Sequence, residues 1–210
     1  GTLRCQVQVF PSVLSDLQSG LEGLLREPNG CFEQTSTSNY PNLLILDYLK
    51  TNNQARPEVA RRAMEYLERG YARLLSFECK NPENNNRLEG FEWFGGTTVP
   101  HEALTAYGLM QFRDMSRVFS VNPEMLERTR KFLMSRKDNN GGFRRKQDHH
   151  SFGRVPDAIY NAYIVWALTE GSQEDDVQRE LAALEQQAKT STDPYFLGLV
   201  ANSLINRGKE

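Results

Sequence analysis

Two side chains in the stretch EPNGCFEQTS, Glu27 to Ser36, have the types and spacing for acyl-transfer chemistry. Cys31 and Gln34 are separated by two residues, and Gly30 before them permits a backbone conformation that other residues resist. A turn at this spacing can bring the Cys31 sulfur onto the Gln34 side-chain carbonyl, and loss of ammonia would then leave an internal thioester. Well-oriented groups reach effective molarities of ~10⁵–10⁸ M, so sustained contact favours this otherwise slow step. On spacing alone, an ordinary loop is the commoner explanation of such a pair.

Helices must position these side chains, because apolar residues recur at helical spacing along most of the chain. Six of the predicted helices have proline at or near their first position, where its missing N–H does no harm. The predicted helices are approximately Ser12–Arg26, Tyr40–Lys50, Pro57–Leu74, Pro100–Phe119, Pro123–Ser135, Pro156–Leu168, Glu174–Ala188 and Pro194–Asn206.

One strand is predicted, at Leu3–Phe10, where apolar and polar residues alternate. It has no partner strand in the sequence, so we assign residues 1–10 to the sheet of an adjoining domain. Residues 11–210 then form the helical domain.

The longest connections repeat one another, which indicates stacked helical hairpins. EGFEWFGG precedes HEALTAYGLMQF, and GGFRRKQDHHSFG precedes DAIYNAYIVWAL. The sixth predicted helix is apolar almost all round, as expected for a helix enclosed by others. The predicted fold is therefore all-α, an α/α toroid in which the fourth, sixth and eighth helices form part of the inner layer. An open right-handed solenoid is the alternative.

The composition excludes several classes of function. The 210 residues carry a net charge of -2, which gives no electrostatic basis for binding nucleic acid or an anionic membrane surface. No apolar run approaches the ~18 residues of a membrane span. The three cysteines, Cys5, Cys31 and Cys79, cannot all pair with one another within the chain. No cofactor is predicted.

The wider sequence around Cys31 resembles the thioester-containing domain of the alpha-2-macroglobulin and complement family, whose signature is Gly-Cys-x-Glu-Gln. Gly30, Cys31, Glu33 and Gln34 match it, and Phe32 replaces a commoner small residue. The resemblance continues through YPNLLILDYLK, PEVARRAMEYLERGYARLLSF, HEALTAYGLMQF, KDNNGGF and NAYIVWALTE. GCFEQTS and SFGR look more like the bacterial branch than vertebrate complement.

This resemblance implies an α/α toroid inside a larger exported protein, extracellular or periplasmic, beside a β-sandwich domain. It implies a protease inhibitor rather than a turnover enzyme: cleavage of a bait region elsewhere exposes the thioester, which acylates an amine or hydroxyl of the attacking protease or target surface. Eight helices fall short of the full toroid, so we expect its last hairpin to follow Glu210.

The resemblance also gives roles to side chains outside the motif. His149 or His150 is expected to attack the thioester and form an acyl-imidazole intermediate, a step that the neutral imidazole suits. A solvated polar loop is the equal alternative. A metal site with Asp148 is disfavoured, because consecutive side chains seldom converge on one ion. Phe32, Trp93 and Phe94 are expected to shield the thioester from water, and for Trp93 and Phe94 a buried aromatic turn is the equal alternative. His101 is expected to be structural or to cap a helix.

Three other readings of the residues remain open. A glycosidase or terpenoid cyclase on an α/α toroid needs convergent carboxylates, and Glu89, Glu92 and Glu102 are scattered. A papain-like peptidase using Cys31 needs strands around its histidine. A non-reactive helical scaffold that only binds partners would share the fold without the bond.

Overall fold

The computed structural model describes residues 2, 4–5, 20–53, 56–146, 155–171 and 175–208. Residues 20–24 are helical and lead toward the Cys31 turn. The helices with complete bounds are α1 Phe32–Thr51, α2 Pro57–Leu75, α3 Glu102–Met115, α4 Pro123–Ser135, α5 Asp157–Thr169, α6 Gln178–Ala188 and α7 Pro194–Asn206. No helix among the described residues is long and apolar enough to cross a bilayer.

The helices alternate between an inner and an outer layer. Helices α1, α3, α5 and α7 pack against one another in that order, and α2, α4 and α6 pack outside them. The outer helices are amphipathic: α2 buries Val59, Ala63 and Leu67 on one face. In contrast, α3 buries consecutive residues from Glu102 to Ala106, so neighbours enclose it. This is the α/α toroid arrangement, and α3, α5 and α7 are the helices predicted to be inner.

A small sheet lies between α2 and α3, where the sequence predicted only a loop. Its strands are β1 Glu78–Asn81, β2 Arg87–Phe91 and β3 Gly96–Thr97, in the order β2-β1-β3. Strand β1 is antiparallel to β2 and parallel to β3. Strands of two to five residues are too short for alternation to reveal. The expectation that Leu3–Phe10 is the only strand is therefore wrong; that segment lies almost wholly outside the described residues.

Helix α1 begins at Phe32, earlier than the predicted start near Tyr40, and it contains Pro41. The polar run before Tyr40 looks like a loop in the sequence, yet Thr35, Ser36 and Asn39 are fully buried. Asn39 lies against Gly70 of α2, where an added Cβ would come within 2.3 Å of it. These polar side chains serve helix packing, which propensity does not reveal. Helices α3 and α6 in turn start a few residues later than predicted.

Candidate functional site

Cys31 and Gln34 meet at the N-terminal end of α1. Cys31 is the N-cap residue and Gln34 is the third residue of the helix. The Cys31 N–H donates to Oε1 of Gln34 at 3.2 Å, and the Cys31 sulfur faces the Gln34 backbone N–H in the reciprocal half of a capping box. The side-chain amide is thus folded back onto the cysteine. The sequence expectation that the two side chains share a turn at the start of a helix agrees with this geometry.

Gly30 is required by the conformation of this turn. Its φ is +82°, a left-handed conformation that side chains with a Cβ resist. A Cβ at this position would lie 2.1 Å from Gln34 Oε1, well inside contact distance. Only glycine therefore lets the Gln34 side chain lie over the turn.

The carbonyl groups of the turn are held by two polar side chains. Thr35 Oγ1 donates to the carbonyl of Asn29 at 3.0 Å and to that of Gly30 at 3.3 Å. Arg73, on α2, donates to the Gly30 carbonyl through Nε at 2.9 Å and Nη2 at 2.5 Å. Arg73 was not identified from the sequence, because nothing local marks a residue so far along the chain as a partner of Gly30.

Phe32 packs the start of α1 against the hydrophobic core. Its ring is fully buried and stacks on Phe91, with ring centroids 4.9 Å apart. Its N–H donates to the carbonyl of Trp93 at 2.9 Å. Gly108 of α3 makes room for the ring, since a Cβ there would lie 2.8 Å from Phe32 Cζ. Phe32 therefore supports the turn from the core side.

The other two aromatic residues expected to shield the site differ from each other. Trp93 is half-buried; its indole N–H donates to Glu33 Oε2 at 3.3 Å, and its ring lies edge-on to His101 at 4.9 Å. Phe94 is 79% exposed. The indole hydrogen bond therefore joins Trp93 to Glu33, which is in the first turn of α1.

His101 caps α3, as expected: Nδ1 accepts from the Leu104 N–H at 3.4 Å, and the residue is buried. The next residue, Glu102, is a buried carboxylate whose partners the sequence did not reveal. It accepts from Arg136 Nε at 2.7 Å, from the Tyr160 hydroxyl at 2.7 Å and from the Lys146 N–H at 3.1 Å. Burial, followed by the charge of Glu102, raises the pKa of Tyr160.

A cavity of about 370 Å³ opens beside Glu33, between the N-terminal ends of the inner helices. It is lined mainly by apolar and aromatic residues, with Tyr107, Tyr160, Tyr163 and Tyr195 among them. Burial raises the pKa of Tyr107, a hydrogen bond with Thr37 opposes this shift, and the negative charge of Glu33 adds to it.

His149 and His150 lie outside the described residues, as does Asp148. The chain leaves the described region after Lys146, whose Nζ pairs with Glu92 and donates to the Val99 carbonyl at 2.8 Å. It returns at Val155, which lines the cavity beside Glu33. Lys146, before the histidine segment, thus contacts the residue next to Trp93, and Val155, after it, lies in the same cavity as Glu33 of α1.

The three cysteines are free and occupy different environments: Cys5 is exposed, Cys31 is half-buried and Cys79 is buried. Burial raises the pKa of Cys79 to about 12. Within the described part of the chain, no three His, Cys, Asp or Glu side chains are grouped so that they could hold a metal ion.

Comparison with known proteins agrees with the fold described above. The family model of the A-macroglobulin TED domain matches residues 4–209. Alpha-2-macroglobulin-like protein 1 of Mus musculus is 28% identical over 226 residues, covering 100% of this chain and 15% of the mouse protein. Native Escherichia coli alpha-2-macroglobulin, in a crystal structure from domain MG7 to the C-terminus, has a TM-score of 0.63 at 18% identity, covering 92% of this chain and 29% of that one. Salmonella alpha-2-macroglobulin reacted with methylamine has a TM-score of 0.60 at 19% identity, covering 92% and 12%. The chain therefore belongs to the A-macroglobulin TED domain family.

Proposed function

We propose that Cys31 and Gln34 form an internal thioester. The Cys31 sulfur attacks Cδ of Gln34, the S–C bond forms, the C–N bond breaks, and ammonia leaves with the thiol proton. The observation that carries the proposal is the Gln34 side chain folded back onto Cys31, with Oε1 accepting from the Cys31 N–H at 3.2 Å. This arrangement supplies the proximity that the step requires.

The thioester then captures a target covalently. An amine or hydroxyl of a protease or target surface attacks Gln34 Cδ, and Cys31 leaves as a thiolate. The product is an amide or ester, so the reaction happens once and the domain is not a turnover enzyme. Membership in a family of protease inhibitors supports this role, and a Salmonella relative has been studied after reaction with methylamine, itself a primary amine.

His149 or His150 is proposed to act between these two steps, as the nucleophile that first takes the acyl group from Cys31. The acyl-imidazole would then favour hydroxyl acceptors over amines. The residues on either side of the histidine segment support the proposal. Lys146 pairs with Glu92, and Val155 lines the cavity beside Glu33 of α1. Gly30 supports the motif through its left-handed φ, and Glu33 supports it by accepting from the Trp93 indole N–H.

The larger context is proposed from the family. The chain spans about 15% of the length of the mouse relative, so we propose that the domain acts within a larger exported protein, extracellular or periplasmic. Residues 1–10 would pair with an adjoining β-sandwich domain, and a last helical hairpin would complete the toroid. Adjoining domains are then its first partners, and proteases its targets.

Intact mass under denaturing conditions tests the thioester. The protein should be lighter than its sequence by one ammonia and should gain one methylamine with release of one thiol. Cys31→Ala and Gln34→Ala should both have full sequence mass, whereas the control Cys5→Ala should keep the deficit. A wild-type protein of full mass that releases no thiol with methylamine would refute the proposal and favour a non-reactive scaffold.

The histidines need a separate comparison on the intact thioester. Replacing both His149 and His150 with alanine should lower glycerol incorporation and leave methylamine incorporation intact. The control is His101→Asn, which keeps a capping side chain at the start of α3. Unchanged glycerol incorporation in the double variant would remove the histidines from the mechanism.

A further inference from the structure

The peptide group that joins Gly30 to Cys31 is hydrogen-bonded at both of its ends. Its N–H, on Cys31, donates to Gln34 Oε1 at 3.2 Å. Its carbonyl, on Gly30, accepts from Arg73 Nε at 2.9 Å and Nη2 at 2.5 Å, and from Thr35 Oγ1 at 3.3 Å. Because a peptide group is planar and rigid, holding the carbonyl also directs the N–H. One group therefore connects an outer-helix arginine to the amide oxygen of Gln34.

We propose that the Cys31 N–H is the oxyanion donor of the thioester reaction and that Arg73 is its positioning residue; this inference rests on the proposed function. When sulfur attacks Gln34 Cδ, the carbonyl π electrons move onto Oε1, and they return as ammonia leaves. When an acceptor amine attacks the thioester, charge develops on Oε1 again and is relieved as the S–C bond breaks. The same N–H faces that oxygen in both steps.

Arg73 strengthens and orients this donor without contacting a reacting atom. Its guanidinium makes charge-assisted hydrogen bonds to the carbonyl, which polarise the peptide and make its N–H a better donor. It also limits rotation about Gly30, which, as glycine, has little conformational restraint of its own. The guanidinium is supported by the Phe77 ring, 5.6 Å away. A donor aimed at a developing oxyanion is worth ~10²–10³ in rate, and losing its support should cost part of that.

The test compares Arg73→Gln and Arg73→Lys with wild type, each made in the full-length protein. The control is Arg61→Gln, an arginine of the same helix that pairs with Glu58 and Glu65. Three quantities are measured on each: the ammonia deficit, the rates of thiol release by methylamine and by water, and the infrared carbonyl stretch lost on methylamine treatment. Thermal melting checks that each variant is folded.

Arg73→Gln should slow thiol release by about three- to tenfold, since the arginine is exposed and its contribution is partly screened. The factor should be the same for methylamine and water, because the donor acts on the carbonyl and not on the nucleophile. The carbonyl stretch should move to higher frequency, and Arg73→Lys should recover part of both effects. Arg61→Gln should match wild type.

Three results would overturn the inference in distinguishable ways. If wild type carries the thioester and folded Arg73→Gln matches it in rate and carbonyl frequency, the donor assignment is wrong while the proposed function stands. A slowing that differs between methylamine and water would assign Arg73 to acceptor access instead. If wild type shows no ammonia deficit and releases no thiol, both proposals are refuted. Should Arg73→Gln fail to fold, the same comparison on Arg73→Lys decides.

Discussion

Replacing Gly30 with alanine should block thioester formation at a modest cost in stability. A Cβ at Gly30 would lie 2.1 Å from Gln34 Oε1, so the amide must swing away and its hydrogen bond with Cys31 is lost. That bond is worth ~0.5–1.5 kcal/mol net, and alanine in a left-handed conformation costs ~1–2 kcal/mol. Alanine also restricts the unfolded chain, which offsets ~0.4–1 kcal/mol. We therefore expect the free energy of unfolding to fall by about 0.5–3 kcal/mol.

The matched control is Gly171→Ala, because Gly171 also has a positive φ, +67°, and an added Cβ there meets nothing within 4 Å. This variant should be destabilised by a similar backbone strain and should keep the ammonia deficit. Denaturant unfolding measures the first quantity, and intact mass measures the second. If folded Gly30→Ala shows the same ammonia deficit as wild type, the steric argument for glycine in this motif is wrong.

Three further predictions concern packing and ionisation. Glu102→Ala should lower the free energy of unfolding by about 3–5 kcal/mol, because it leaves the Arg136 charge without its buried partner; a change below about 1 kcal/mol in denaturant unfolding would contradict this. Phe32→Ala should cost about 3–5 kcal/mol and Phe94→Ala less than about 0.5 kcal/mol in the same assay, and similar values for the two would show that burial does not distinguish them. Burial raises the pKa of Cys79 from 9.0 to about 12, so its contribution to stability is complete below pH 9 and is lost as the pH rises toward 12. At pH 8 folded Cys79 should resist iodoacetamide while Cys5 reacts, and equal labelling rates would contradict its burial.

Much of the helical framework follows from local sequence. The starts of α2, α4 and α7 were predicted because proline at a first helical position and helical apolar spacing are both local signals. The outer helices carry one apolar face, and the inner ones are apolar on several, so the layer of each helix can also be inferred. The Gly-Cys-x-Glu-Gln motif likewise stands in the sequence, complete before any folding is known.

What only the tertiary structure decided depends on residues far apart in the chain. The polar start of α1 is helical because α2 and α3 bury its Ser36 and Asn39, a contact that no local propensity encodes. The strands between α2 and α3 are too short to show a period, and they form by pairing with one another. Arg73 donates to the Gly30 carbonyl across 43 residues, at the other end of the peptide group whose N–H donates to Gln34 Oε1. Sequence therefore determined which residues make up the motif, and the packing of separate helices decided how their side chains are held.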